Sequence, residues 1–193
     1  MSDSLIHGLT FINKDYKFVA EFGVFQGRTI KIARETLDDS FKIFGFDSFE
    51  GMPNITNKDL GEYNKCDPTF WVGKLNEDGI NSVYNTFNTL GINFDNVKLI
   101  KGFFEDTITD DVIDELGEIA VLRLDSDWYK STKFCIEKLY NNVVNNGVIL
   151  IDDYGFFIGC KNAIDEFRIN NNIVHPIFDR INRLYRYFFK YNL

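Results

Sequence analysis

The sequence predicts an α/β fold whose central sheet is mostly parallel. Short apolar runs alternate with longer amphipathic stretches along the 193 residues, a pattern typical of parallel strands joined by helices on both faces of a sheet. The length suits one well-buried domain, and we expect a single domain over residues 1–193.

Five short apolar runs are predicted to be strands. They are Phe18–Phe22, Phe41–Phe46, Val97–Lys101, Ala120–Leu124 and Val148–Ile151. The aromatic tail from Pro176 to Phe189 favours two further strands, with Asn182 and Arg183 near the turn between them. We therefore expect an antiparallel strand pair at the C-terminal end of the sheet.

Helical patterns occupy the stretches between the strands. They cover Arg28–Leu37, Ile80–Leu90, Thr109–Leu116, Tyr129–Val144 and Lys161–Ile169. The segment Gly51–Gly79 is different, because it is rich in Gly, Pro, Asn and Asp and is long for a connection inside a domain. It is either a lid or substrate loop over a pocket, or a surface excursion packed by its own aromatic side chains.

Composition excludes several classes of protein. The formal net charge of -8 argues against a nucleic-acid partner, which is bound largely through Lys and Arg. The apolar runs are far shorter than the ~20 residues of a membrane span, and the first ten residues do not resemble a signal peptide. Cys66, Cys135 and Cys160 follow no metal-binding spacing. We therefore expect a cytoplasmic protein with no membrane span and no nucleic-acid partner.

Carboxylates recur where the predicted strands end. Asp47, Asp125 and the pair Asp152 and Asp153 follow three strands, and Glu21 lies near the end of a fourth. Ligands bind outside the carboxyl ends of parallel strands, although any one of these residues is also explained as the cap of the next helix. The adjacent pair favours a bound cation, because neighbouring like charges repel.

The first strand leads into the motif Glu-Phe-Gly-Val-Phe-Gln-Gly at residues 21–27. Glycine after a strand lets the backbone come close to a ligand. The spacing lacks the full G-x-G-x-x-G dinucleotide pattern, which counts against an NAD-dependent oxidoreductase. Asp47 after the next strand suits a hydrogen bond to ribose hydroxyls.

Five segments in order resemble the macrocin O-methyltransferase (TylF-like) family. They lie at residues 21–24, 46–53, 101–107, 122–132 and 147–154, and the resemblance runs from about Phe18 to near the C-terminus. This family belongs to the class I methyltransferases, so the resemblance implies a Rossmann-like sheet. It also implies S-adenosyl-L-methionine as cofactor and a sugar hydroxyl as methyl acceptor.

The resemblance implies roles for individual residues in binding the cofactor. Glu21, Gly23 and Gly27 are expected along its methionine part, Asp47 and Ser48 at the ribose, and Phe103 and Phe104 near the adenine.

The resemblance further implies a divalent cation, Mg²⁺ or a similar ion, held by Asp125, Asp152 and Asp153. Oxygen ligands suit such a hard cation, and a sugar hydroxyl bound to it would have a lowered pKa. Asp125 is the first choice for the group that accepts the hydroxyl proton, and Asp127 is the second.

Three alternatives stay open beside a sugar O-methyltransferase: a catechol-type O-methyltransferase, an NAD-dependent oxidoreductase and a non-catalytic Rossmann-like binding module. The segment Trp128-Tyr129 fits the sugar group better than the catechol type. For a sugar O-methyltransferase, the expected acceptor is a polysaccharide or glycoconjugate precursor, a nucleotide sugar or a natural-product sugar. The residues before Phe18 are few, so we expect the substrate lid to come from Gly51–Gly79 or from another subunit, as in a homodimer.

Overall fold

Seven strands form one sheet in the part of the chain that the computed structural model describes, residues 8–10, 12, 14–179 and 186–191. The strands are β1 (Phe18–Phe22), β2 (Lys42–Asp47), β3 (Val97–Lys101), β4 (Ile119–Leu124), β5 (Val143–Ile151), β6 (Phe178–Asp179) and β7 (Arg186–Phe189). Their order across the sheet is β3-β2-β1-β4-β5-β7-β6. Strands β1 to β5 pair in parallel, and β7 is antiparallel to both β5 and β6. The predicted mostly parallel sheet with a C-terminal antiparallel pair is confirmed, while the turn predicted at Asn182 and Arg183 lies outside the described residues.

Helices cover both faces of this sheet, as predicted. They are α1 (Arg28–Thr36), α2 (Asn81–Leu90), α3 (Phe104–Thr107), α4 (Asp110–Leu116), α5 (Tyr129–Leu139) and α6 (Ile158–Asn170). Adjacent residues of a strand point to opposite faces, and Ala20 accordingly packs in one apolar cluster with Ile136 of α5. Its neighbour Val19 packs in the other cluster, with Ile30 of α1. Within the described residues, no helix has the length and apolar character that a membrane span requires.

The helix predicted over Tyr129–Val144 is too long. Helix α5 ends at Leu139, and Val143 already begins β5, well before the predicted start at Val148. Val143 and Val144 are only 1% and 6% exposed, and their β-branched side chains favour a strand in the central sheet over another helical turn. The single turn α3 after β3 has no counterpart in the prediction.

Segment 51–79 is anchored to the rest of the chain by polar contacts at two helix starts. Asp59 is 1% exposed, and its Oδ1 accepts a 2.6 Å hydrogen bond from the backbone N–H of Tyr129, the first residue of α5. Oδ1 of Asn64 accepts a 2.7 Å bond from the N–H of Ile158, the first residue of α6. Because helix-start N–H groups otherwise lack partners, the segment stabilises both helices and is held in a defined position.

Candidate active site

A cavity of about 450 Å³ lies at the carboxyl ends of β1, β2, β4 and β5. Its walls combine the residues that follow these strands with part of segment 51–79. The residues of the sequence prediction that line it are Gly23, Asp47, Ser48, Phe103, Phe104, Asp125, Asp127, Asp152 and Asp153. Glu21 and Gly27, which were predicted with them, are not part of this lining.

The turn after β1 presses its backbone against the end of β4. Gly23 has a φ of +94°, a left-handed conformation that glycine adopts readily. A Cβ on Gly23 would lie 1.9 Å from the carbonyl oxygen of Asp125, so no side chain fits there. A Cβ on Gly27 would lie 2.5 Å from Cγ1 of Val83 in α2. Close packing therefore requires both glycines of the motif, and Gly23 exposes its backbone to the cavity.

Asp47 holds this turn in shape. Its Oδ2 accepts 2.8 Å hydrogen bonds from the backbone N–H groups of Val24 and Phe25, and its Oδ1 accepts a 2.7 Å bond from the N–H of Phe49. The neighbouring Ser48 is 8% exposed and donates a 3.2 Å bond to the carbonyl of Gly51. Asp47, predicted at the ribose, thus lines the cavity and also orders the backbone beside it.

Two aromatic side chains form an apolar wall of the cavity. Phe103 is 39% exposed, and the ring of Phe104 packs edge to face on Phe22, with centroids 5.6 Å apart. The N–H of Gly102 donates a 2.9 Å bond to the carbonyl of Asp47, which fixes this wall next to the turn. Such a surface suits a flat aromatic ligand group.

Glu21 is buried behind the turn. It is 2% exposed and accepts hydrogen bonds from the Thr29 hydroxyl and, over 2.7 Å, from Nη1 of Arg123. Burial raises the pKa of Glu21 to about 7, although the positive charge of Arg123 opposes that rise. Glu21 can therefore influence the cavity only indirectly, through its bonding partners Thr29 and Arg123.

Three carboxylates come together beyond the ends of β4 and β5. Asp125, Asp127 and Asp153 each offer an oxygen atom, and these atoms lie within 4.8 Å of one another. We name these three residues the acidic group. The sequence prediction had Asp152 in place of Asp127. Oδ1 of Asp152 instead lies 3.0 Å from Nη2 of Arg123, the same nitrogen that lies 2.9 Å from Oδ2 of Asp125.

Burial and mutual repulsion raise the pKa of these carboxyl groups. The pKa of Asp125 rises to about 6, chiefly through burial, while Arg123 lowers it and Asp152 raises it. Burial and then neighbouring carboxylates raise the pKa of Asp127 and Asp153 well above the usual range. Among the described residues, Oδ2 of Asp153 is buried and has no hydrogen-bond donor when all three carboxylates are ionised, although a proton on Asp153 would bond Asp125 or Asp127. A cation at the acidic group would relieve both the repulsion and this unmet bond.

Sequence reasoning missed Arg123 and the anchoring residues Asp59 and Asn64. One charged residue inside the apolar run Ala120–Leu124 was a usable signal for Arg123, because buried charges are rare unless they are paired. Asp59 has a local signal, the capping box it forms with Thr56. Nothing local indicates the bonds of Asp59 and Asn64 to the starts of α5 and α6, since those partners are 70 and 94 residues away.

The fold is that of the Rossmann-like class I methyltransferases. The structure of the O-methyltransferase NovP matches it with a TM-score of 0.79 and 22% identity, covering 99% of this chain and 79% of that one. A calicheamicin methyltransferase matches with a TM-score of 0.72 and 18% identity, over 97% of this chain and 76% of that one.

The chain belongs to the macrocin-O-methyltransferase (TylF) family, whose model matches residues 17–190. It is 29% identical, over 82% of its length, to the 8-demethyl-8-(2,3-dimethoxy-alpha-L-rhamnosyl)-tetracenomycin-C 4'-O-methyltransferase of Streptomyces olivaceus. It is also 29% identical, over 82% of its length, to the demethyldecarbamoylnovobiocin O-methyltransferase of Streptomyces niveus. The chain spans 60% and 61% of the lengths of these two curated relatives.

Proposed function

We propose that this protein is an S-adenosylmethionine-dependent O-methyltransferase that uses a divalent cation, Mg²⁺ or a similar ion, and methylates a sugar hydroxyl. One observation carries the proposal. The glycine turn after β1 and the acidic group, with its three oxygen atoms within 4.8 Å, line the same cavity. A cofactor at the turn and an acceptor hydroxyl at the carboxylates would therefore meet.

The cofactor site in this proposal follows the turn and the aromatic wall. Gly23 admits the methionine part close to the backbone, and Phe103 offers an apolar face to the adenine. Asp47 accepts three backbone hydrogen bonds, and a carboxylate has about four acceptor positions, so one is left for a ribose hydroxyl beside Ser48. Glu21 does not line the cavity and acts on the cofactor site indirectly, through its hydrogen bonds with Thr29 and Arg123.

The cation site is supported by the kind and the state of its donors. Asp125 and Asp153 belong both to the sequence prediction and to the acidic group, and we assign them as ligands. Asp127 or Asp152 is the third. The ligand atoms that the described residues bring together there are all carboxylate oxygens, as a hard cation prefers, and the buried Oδ2 of Asp153 has no hydrogen-bond donor among those residues. When bound, the cation supplies a positive charge that lowers the pKa of an acceptor hydroxyl.

In the proposed reaction a bond forms between the acceptor oxygen and the methyl carbon, and the bond between that carbon and the sulfonium sulfur breaks. The hydroxyl proton goes to a carboxylate, and the products are a methyl ether and S-adenosylhomocysteine. Asp125 is the first choice for the acceptor of the proton, because it lines the cavity and belongs to the acidic group, beside the place proposed for the acceptor hydroxyl. Asp127 is the second.

The lining of the cavity is relevant to the class of acceptor. Met52, Trp71, Leu75 and Phe156 line it, and no Lys or Arg among the described residues does. A nucleotide sugar would bring a diphosphate, which is bound by cationic side chains. The lining therefore favours an uncharged sugar attached to an apolar body, and the relative whose name specifies a rhamnosyl-tetracenomycin points the same way.

The test measures cofactor and cation binding separately. We expect S-adenosylhomocysteine to bind in calorimetry and Mn²⁺ to bind in electron paramagnetic resonance titrations. Asp153→Asn should abolish Mn²⁺ binding and retain S-adenosylhomocysteine, whereas Asp114→Asn, at an exposed position on α4, should change neither. The larger loss of Mn²⁺ affinity in Asp127→Asn or in Asp152→Asn identifies the third ligand. Wild-type protein that binds neither ligand contradicts the proposal.

A further inference from the structure

One guanidinium lies close to three carboxylates, two of which line the cavity. Nη1 of Arg123 lies 2.7 Å from Oε1 of Glu21. Its Nη2 lies 2.9 Å from Oδ2 of Asp125 and 3.0 Å from Oδ1 of Asp152. The side chain of Arg123 is 1% exposed, so these carboxylates, not water, compensate its charge.

The sheet itself produces this convergence. Glu21 in β1 and Arg123 in β4 are direct partners in the register of neighbouring parallel strands, so their side chains share one face. Asp125 comes directly after β4, and Asp152 comes directly after β5, the neighbouring strand in the sheet. Because three adjacent strands end together, one long side chain in the middle strand reaches groups from all three.

Arginine is suited to this place in a way that lysine is not. A guanidinium is planar and always charged, and its several N–H donors point in fixed directions, whereas an ammonium is a single point charge. Nη1 of Arg123 donates a hydrogen bond to Glu21, while its Nη2 forms ion pairs with Asp125 and Asp152 at distances of 2.9 and 3.0 Å that lack hydrogen-bond geometry. Without it, the acidic group and Asp152 would repel one another with no fixed positive charge among them.

We propose that Arg123 is a positioning residue, which holds the carboxylate of Asp125 in place for cation binding and joins it, together with Asp152, to Glu21. The inference rests on the proposed function, since it concerns the same cation site. It adds that the site is built from β1 as well as from β4 and β5. Asp125 then has two partners, the guanidinium on one side and the cation on the other.

The test compares two substitutions of buried arginines. Arg123→Lys keeps a positive charge but loses the fork, and residues that orient metal ligands typically contribute about 10–100-fold in metal affinity. We expect Mn²⁺ to bind Arg123→Lys more weakly by that factor, with little change in S-adenosylhomocysteine affinity, because the turn at the proposed cofactor site is held by hydrogen bonds to Asp47. Arg34→Lys is the matched control. Arg34 is also buried and bonds the carbonyl of Leu37, and this substitution should leave Mn²⁺ affinity unchanged.

A second variant covers the outcome in which Arg123→Lys does not fold. Glu21→Gln keeps Arg123 but weakens its anchor in β1, so we expect a smaller loss of Mn²⁺ affinity in the same direction. The inference is overturned if folded Arg123→Lys binds Mn²⁺ as tightly as the wild type does. If Arg123→Lys is unfolded, the same result in Glu21→Gln overturns it. In both cases the proposed function itself stands. Wild-type protein that binds S-adenosylhomocysteine but no Mn²⁺ contradicts the cation site of the proposed function and overturns this inference with it.

Discussion

The contact between the ends of β1 and β4 can be tested by a single methyl group. In Gly23→Ala the new Cβ would lie 1.9 Å from the carbonyl oxygen of Asp125. Heavy atoms do not pack so closely, so the two strand ends must separate by about 1 Å or more. That movement would displace both the turn that approaches the cofactor and the first residue of the acidic group.

Gly91→Ala separates this steric effect from the cost of the backbone conformation. Gly91 has a φ of +63° at the end of α2, and a Cβ there would meet nothing within 4 Å. We expect it to lose only about 1–2 kcal/mol for a side chain in the left-handed region. Gly23→Ala should lose roughly 2–5 kcal/mol, since overpacking adds about 1–3 kcal/mol to the conformational cost.

Two measurements check these values. Urea unfolding gives the free energy of unfolding of each variant, provided that the slope with denaturant stays constant. Calorimetry gives the affinity for S-adenosylhomocysteine. It should fall about tenfold or more in Gly23→Ala, because displacing the turn weakens its contacts with the ligand and a loss of about 1.4 kcal/mol in binding free energy is tenfold. It should not change in Gly91→Ala. Equal stability and equal affinity in the two variants would refute the argument that this contact shapes the site.

Three further predictions concern the turn, the anchored segment and the buried acids. Asp47→Asn leaves one acceptor oxygen for three backbone N–H groups, so we expect weaker S-adenosylhomocysteine binding and a loss of about 1.5–3 kcal/mol for each bond broken; unchanged affinity in calorimetry would argue against its role in the turn. Asp59→Ala removes the 2.6 Å cap on the N–H of Tyr129 and should destabilise the protein by about 1–3 kcal/mol in thermal unfolding, whereas an unchanged melting temperature would mean that segment 51–79 is held by other contacts. Because the folded-state pKa values of Glu21 and Asp125 are raised to about 7 and about 6, the folded protein binds these protons more tightly than the unfolded chain does. Stability without divalent cations should therefore fall as the pH rises from about 4.5 to 7, Mg²⁺ should reduce that fall, and stability rising with pH across this window would contradict the burial argument.

The strand framework was predictable because its signal is local. The bounds of β1 and β3 agree with the prediction, since each is a short apolar run closed by glycine on the following turn. The start of β5 was missed because Val143 and Val144 are separated from the rest of the strand by Asn145, Asn146 and Gly147, which break the apolar run. Tertiary pairing with β4 decides that these residues form a strand.

The sequence did not predict which aspartates come together in the acidic group. The adjacent residues Asp152 and Asp153 suggested a shared role, yet Asp152 turns to Arg123 and Asp153 turns to Asp125 and Asp127. Asp127 has a φ of +54°, a left-handed conformation that is uncommon outside glycine. This backbone turn brings its side chain back beside Asp125, and strand alternation does not predict it.

The central claim is that the cavity at the carboxyl ends of the strands binds S-adenosylmethionine beside a divalent cation. Its most direct test is a calorimetric titration of the protein with S-adenosylhomocysteine and with NAD, each with and without Mg²⁺. We expect micromolar binding of S-adenosylhomocysteine, no binding of NAD, and a heat of Mg²⁺ binding that Asp153→Asn abolishes. Binding of NAD in place of S-adenosylhomocysteine, or a Mg²⁺ response that persists in Asp153→Asn, would contradict it.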